Sequence, residues 1–199
     1  MDPIVQSGDP VLRAHAVAVP RKDIASPKIQ KLIATMRRAL AREEYGVALA
    51  APQLGQSVRM FVIAGKVFAE EDGGAVPAEP RSADAKQTTR SGAGTAPEDM
   101  VFINPEIIRL SRKKVEMSEG CLSVRGKYGT VLRHEKATIK ALDEFGKEFT
   151  YHGAALLGHI FQHEVDHLNG ILYTDKVLKL EEDDELTGAR AKLNKKYGV

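Results

Sequence analysis

The chain has 199 residues, enough for one domain with a well-buried core and short for two. Hydrophobic residues make up 43% and charged ones 28%, the balance of a soluble globular protein, and a net charge of +2 is too small to argue for direct nucleic-acid reading or for a membrane surface. The single cysteine, Cys121, excludes an internal disulfide, no apolar run approaches a transmembrane length, and the first residues lack signal-peptide character, so a cytoplasmic protein is expected.

Residues 4–20, broken by Pro10 and Pro20, read as an extended, irregular arm lying on the domain. Ser26-Pro27 has the form of a helix start, and Ile29, Leu32, Ile33, Met36 and Leu40 follow helical spacing up to an end near Glu44. Residues 46–55 (G-V-A-L-A-A-P-Q-L-G) are small and apolar, with Gln53 the only polar side chain; such a segment lets backbone run close to a ligand or to another element. Residues 58–64 read as a strand, 65–99 as an insertion loop, and 101–105 as a strand that stops at Pro105. Strand pieces are expected at 107–110, 114–117, 130–133, 137–142 and 147–151, with a polar loop at 125–129 and a hairpin turn at 143–146. A helix is expected over 154–168, stopped by Gly170, and a charged helical tail over 176–199. The order predicts an α+β class, with mostly antiparallel sheet packed around the 154–168 helix and a helix toward each end of the chain.

That central helix carries His163-Glu164-Val165-Asp166-His167. Histidines four apart stack on one helix face and can share a metal ion, and Glu164 is within reach of a water held there. Ile160, Phe161, Val165 and Leu168 make the helix a buried one, where unpaired His and Glu would be costly and metal ligation would account for them. A catalytic ion needs a third protein ligand. Downstream glutamates, Glu181, Glu182 and Glu185, would give a zincin-type endopeptidase. Cys121, within E-G-C-L-S, is the other candidate, and a thiolate would suit Fe²⁺, Ni²⁺, Co²⁺ or Zn²⁺.

Three stretches in this order, G-V-A-L-A-A-P-Q, E-G-C-L-S and Q-H-E-V-D-H-L, together with G-D-P-V-L-R and I-N-P, resemble the signature motifs of the peptide deformylase family. The resemblance spans about residues 4–173, leaving out 65–99 and the tail. It implies one catalytic domain over 1–199 that removes the N-formyl group from the initiator methionine of nascent proteins and releases formate. It implies one divalent ion, Fe²⁺ foremost, held by Cys121, His163 and His167. Glu164 would be the general acid/base, and Gln53 with the backbone N–H of Leu122 would stabilise the oxyanion. Backbone around Val47, Ala48 and Gly120 would pair with the peptide, and Met117, Leu156, His159 and Ile160 would line the methionine pocket. Docking on the ribosome near the exit tunnel through the charged tail is a further implication. Two positions depart from the family pattern. Ala48 stands where a glycine is usual, which would be strained if φ there is positive. His159 stands where arginine or an apolar residue is usual, and would be either a variable part of the pocket wall or a residue that makes the pocket more polar.

Overall fold

A computed structural model describes residues 4–71 and 98–182. The first helix starts where the sequence supplies a cap: Ser26 Oγ accepts from the Ile29 N–H at 3.4 Å and Pro27 takes the first helical position. Helix α1 runs Pro27–Leu40, one turn shorter than expected, and buries Ile29, Ile33, Met36 and Leu40 along one stripe.

Eight strands follow among the described residues: β1 (Ala48–Ala50), β2 (Met60–Ile63), β3 (Met100–Leu110), β4 (Lys114–Cys121), β5 (Val124–His134), β6 (Lys136–Leu142), β7 (Glu148–Ala154) and β8 (Val177–Glu182). They form two antiparallel sheets, one in the order β1-β2-β3-β6-β7 and one in the order β4-β5-β8. Strand periodicity buries both faces of the larger sheet. Met60 and Val62 pack with the apolar stripe of α1. Phe61 and Ile63 pack on the other side, with Leu157, Ile160, Phe161 and Leu168 of helix α3 (Ala155–Leu168). The expected class, α+β with antiparallel sheets around a central helix, is the observed one.

Helix α3 reaches this position because two glycines remove the side chains that would hold it away. A Cβ on Gly158 would lie 3.0 Å from the carbonyl oxygens of both Glu135 and Gly153, so the helix rests on bare backbone. Gln162 then locks it, donating to the Gly158 carbonyl (2.7 Å) and to the His134 carbonyl (2.9 Å) and accepting from the His134 N–H (3.1 Å). Gly170, at φ +74°, turns the chain away after the helix.

Four expectations need correction. β3 does not stop at Pro105 but continues to Leu110 through a register shift between Ile103 and Glu106. Asn104 makes the bulge possible: it takes φ 50°, which asparagine tolerates, and its amide both donates to and accepts from the backbone of Val19 at 2.8 Å. Residues 65–71 form helix α2 (Gly65–Glu71) and not loop; Val67 is buried in the core and the Gly65 N–H donates to Asp99 Oδ1 at 2.9 Å. The polar run at 125–129 is part of β5, whose pairing with β4 outweighs weak local propensity. Residues 177–182 are strand β8 and not helix, because the outer edge of β5 offers a ladder that a weakly amphipathic helix could not match. The rest of the expected loop (72–97) and of the tail (183–199) lies outside the described residues.

Ala155 begins α3 at φ 44°, a conformation that costs a residue with a Cβ. Ala155→Gly is expected to raise unfolding stability by about 0.5–1 kcal/mol, read as a higher urea midpoint at unchanged slope.

Candidate active site and metal centre

β4 ends at Cys121, where the register shifts and the chain turns through Leu122 and Ser123 into β5. Helix α3 presents His163 and His167 opposite this turn, their ring centroids 4.9 Å apart. Cys121, His163 and His167 each offer one ligand atom, all within 4.8 Å of one another. The sulfur of Cys121 lies 3.2 Å from His167 Nε2 and accepts from the Ser123 N–H at 3.4 Å. Among the described residues this is the one group with metal-ligand spacing. Glu181 and Glu182 lie instead in β8, opposite Tyr128 and Lys127, and Glu185 is outside the described residues.

Gln53 reaches the same sulfur from the other wall. It lies in a short 3-10 turn after β1 and is 2% exposed. Its Oε1 accepts from the Ala50 N–H at 2.8 Å, which fixes the amide so that Nε2 points to Ser123 Oγ (3.1 Å) and to Cys121 Sγ (3.5 Å). The N-terminal arm secures both turns: the Val5 N–H donates to the Gln53 carbonyl (2.9 Å), the Ser7 N–H to the Ser123 carbonyl (2.7 Å) and Gln6 Nε2 to the Leu122 carbonyl (3.1 Å).

Behind the histidines lies a chain of charges that the sequence reading did not assign. His163 Nδ1 donates to Glu119 Oε2 at 3.0 Å, leaving Nε2 for the cluster. Arg133 grips Glu119 with Nε and Nη2 and reaches Asp166 Oδ2 with Nη1 at 2.7 Å; Lys176 Nζ closes the line on Asp166 at 2.7 Å. Burial alone would raise the pKa of Glu119, but the Arg133, His159 and His163 side chains outweigh it and hold the carboxyl well below the usual range. Removing one partner from a buried pair of this kind costs about 3–5 kcal/mol. A signal for Arg133 was present in the sequence: it lies two residues after the buried Val131 in a strand, hence on the same inward face. Asp166 had a similar signal, three residues after His163 on a helix.

Glu164 is buried, and its Oε2 has no hydrogen-bond partner among the described residues. Burial pushes its pKa up to about 7. His167 goes the other way: burial first, then the charge of His163, holds it well below the usual histidine value, in the neutral form a ligand requires. A soft sulfur donor, two imidazoles and a buried carboxyl beside them, its Oε2 without a partner among the described residues, fit a divalent transition ion.

These groups open into a cleft of about 520 Å³. Val47, Ala48 and Gln53 line one wall, Gly120, Cys121 and Leu122 the other, and Met117, Leu156, His159 and Ile160 line it beside His163 and Glu164. His167 alone of the expected site residues is not on its surface. β1 and β4, at the rims of the two sheets, flank the cleft with one edge each that is unpaired among the described residues. Ala48 belongs to β1 and is not among the residues with positive φ, so the methyl group there is unstrained. His159 is 3% exposed and turns Nδ1 toward Glu119 Oε1 at 3.7 Å, beyond hydrogen-bond distance, so it stands beside the charge chain as well as in the cleft wall.

A Cys/His/His donor cluster beside a buried glutamate, in a cleft between two strands, is an arrangement suited to a metal-dependent hydrolase. The family model for polypeptide deformylase matches residues 1–183. The chain belongs to the peptide deformylase family: it hydrolyses the N-formyl group from the formyl-methionine of newly synthesised proteins and releases formate, in a family that is metal-dependent. The peptide deformylase of Halothermothrix orenii is 39% identical, over 88% of this chain and 93% of that one. The chloroplastic peptide deformylase 1A of tomato is 35% identical, over 89% of this chain and 60% of that one. Among solved structures, the Met-Ala-Ser-bound class I type b deformylase of Acinetobacter baumannii superposes with a TM-score of 0.68 at 30% identity, covering 88% of this chain and 97% of that one. No helix among the described residues is long and apolar enough to cross a membrane.

The raised pKa of Glu164 carries a sign that can be checked in metal-free protein. Between pH 4.5, the ordinary value, and about 7, the folded state keeps a proton that the unfolded state releases, so stability falls as pH rises. Glu164→Gln lacks this loss. Its advantage over the wild type is expected to be absent at acid pH, to grow across that window and to level off at about 3 kcal/mol in urea unfolding.

Proposed function

We propose that Cys121, His163 and His167 hold one divalent ion, Fe²⁺ foremost with Zn²⁺, Ni²⁺ or Co²⁺ as substitutes. The observation that carries this reading is the convergence of their ligand atoms within 4.8 Å, beside the buried carboxyl of Glu164, whose Oε2 has no partner among the described residues. When bound, the ion supplies Lewis-acid polarisation of water and of the formyl oxygen.

The remaining chemistry falls to the chain's own groups. Glu164, with a pKa of about 7, takes a proton from the attacking water at its carboxylate and returns it to the leaving amine. Gln53 Nε2 is held in place by the Ala50 bond and donates to the oxyanion of the tetrahedral centre, with the Leu122 N–H as a second donor. Glu119 keeps His163 in the tautomer that leaves Nε2 available. The outer edges of β1, at Ala48 with Val47 just before it, and of β4, at Gly120, unpaired among the described residues, receive the peptide as an added strand, which reads backbone and accepts many nascent sequences. Met117, Leu156, His159 and Ile160 receive the methionine side chain. The Met-Ala-Ser complex of the Acinetobacter relative supports a peptide in this cleft.

One catalytic domain over the chain is supported by a family match that reaches residue 183. A single exposed-to-cleft thiol as ligand favours a reducing, cytoplasmic setting. Docking on the ribosome near the exit tunnel is proposed from the charged sequence at 176–199 and from a substrate that is a nascent chain. Truncation after Glu182 is expected to abolish co-sedimentation with ribosomes; full retention would refute the docking.

Anaerobic purification with metal analysis and formate release from formyl-methionyl peptides tests the site. Cys121→Ala is expected to lose the metal. Glu164→Ala is expected to keep it while kcat falls by about 10²–10⁴. Gln53→Ala is expected to lower kcat by about 10²–10³ with KM little altered. Metal retained in Cys121→Ala would overturn the ligand set.

A further inference from the structure

The two walls of the cleft are joined twice. At the floor, Gln53 crosses from the β1 side to Cys121 and Ser123 on the β4–β5 side. At the rim a second crossing is made by charge. Arg125, at the start of β5, donates Nη2 to Glu43 Oε1 at 2.7 Å and Nη1 to Glu43 Oε2 at 3.3 Å. Glu43 belongs to the segment between α1 and β1, so this forked pair ties one wall to the other, and both residues line the cleft. Exposure marks the rim: the Arg125 and Glu43 side chains are 55% and 23% exposed, against 4% for Glu164 at the floor.

A peptide added as a strand must pass between these same walls. Formyl-methionine amide ends within the cleft, whereas a longer chain has to leave across the rim. We propose that Glu43 and Arg125 form a clasp across the rim of the cleft, which a nascent chain must part and whose two charges then set how the residues after methionine affect substrate use. This rests on the reading that the peptide lies in the cleft.

Two properties follow from the chemistry of the pair. An exposed ion pair is weak, so parting it costs no more than about a fivefold change in affinity. Once parted, it presents one acid and one base to the chain, so acidic and basic residues each find a partner and neither sign is favoured. Removing one member exposes the other. Glu43→Gln leaves a lone guanidinium, and Arg125→Gln leaves a lone carboxylate.

The test compares formyl-methionine amide with formyl-methionyl tetrapeptides carrying Ala, Asp or Lys at the third residue, under steady-state kinetics in wild type, Glu43→Gln, Arg125→Gln and the charge-swapped double variant Glu43→Arg/Arg125→Glu. Equilibrium binding of the unformylated tetrapeptides gives a second readout that does not depend on turnover. With the Ala tetrapeptide, both single variants are expected to show a KM lower by about 1.5- to 5-fold, with the ratio of kcat/KM for tetrapeptide over amide raised by the same factor. Glu43→Gln is expected to prefer Asp over Lys, Arg125→Gln the reverse, and the swap to restore the wild-type ratio and its lack of charge preference. Equal changes for amide and tetrapeptide, or no change of charge preference in either single variant, overturn the clasp while leaving the cleft reading intact. Wild-type protein that turns over the amide yet binds no tetrapeptide overturns the cleft reading and the clasp with it.

Discussion

Glu119 lies buried between a guanidinium and two imidazoles, and its ionised carboxylate joins the smaller sheet to the central helix beside the Cys/His/His cluster. It stands on the smaller sheet, one residue before Gly120 and two before Cys121. Its partners come from the neighbouring strand (Arg133) and from the central helix (His163), with His159 Nδ1 3.7 Å away. Burying that many charges is tolerable only because each is matched: Arg133 divides itself between Glu119 and Asp166, and Asp166 in turn meets Lys176 near the surface. The helix is therefore held against one sheet by apolar contact and against the other by charge. The distance between Cys121 and the histidines is set by these two unlike attachments acting together.

The apolar attachment has its own condition. A helix bearing two imidazoles must approach the sheets closely, and the side chains of an ordinary helix would keep it about a side chain's width away. Gly153 and Gly158 remove that spacing, and Gln162 replaces it with hydrogen bonds to backbone. Position along the helix axis is thus fixed by hard contact between backbones, which changes little with thermal motion. Gln53 is fixed by the same logic on the opposite wall, its amide orientation decided by the Ala50 N–H before any substrate arrives.

How much of this was legible in the sequence depended on whether a feature was local. The α1 cap, the HExxH face and the strands at 58–64 and 137–142 are governed by neighbours within a few residues, and the sequence pattern located them. Asn104, β8 and the polar part of β5 are governed by partners far along the chain: the Val19 backbone, the outer edge of β5 and the ladder to β4. Local propensity at those places favoured a stop, a helix and a loop, and tertiary pairing overrode it. The same division runs through the site. Cys121, His163, Glu164 and His167 stand in short motifs whose chemistry is visible in one line of text. Arg133 stands in an unremarked strand, and Glu43 and Arg125 are 82 residues apart in the chain, with nothing in either stretch that names the other.

The N-terminal arm holds the turns that carry Gln53, Leu122 and Ser123, while the histidines arrive only with the last helix. Residues 5–7 therefore fasten two turns that lie far apart in the chain, with Gln6 and Leu122 separated by 116 positions. In any order of synthesis from N- to C-terminus, the arm has no second turn to hold until Ser123 has been made, and the histidines follow later still. The cluster is thus closed by the last-made helix against turns that only long-range contacts can hold, and no fragment short of that helix contains it.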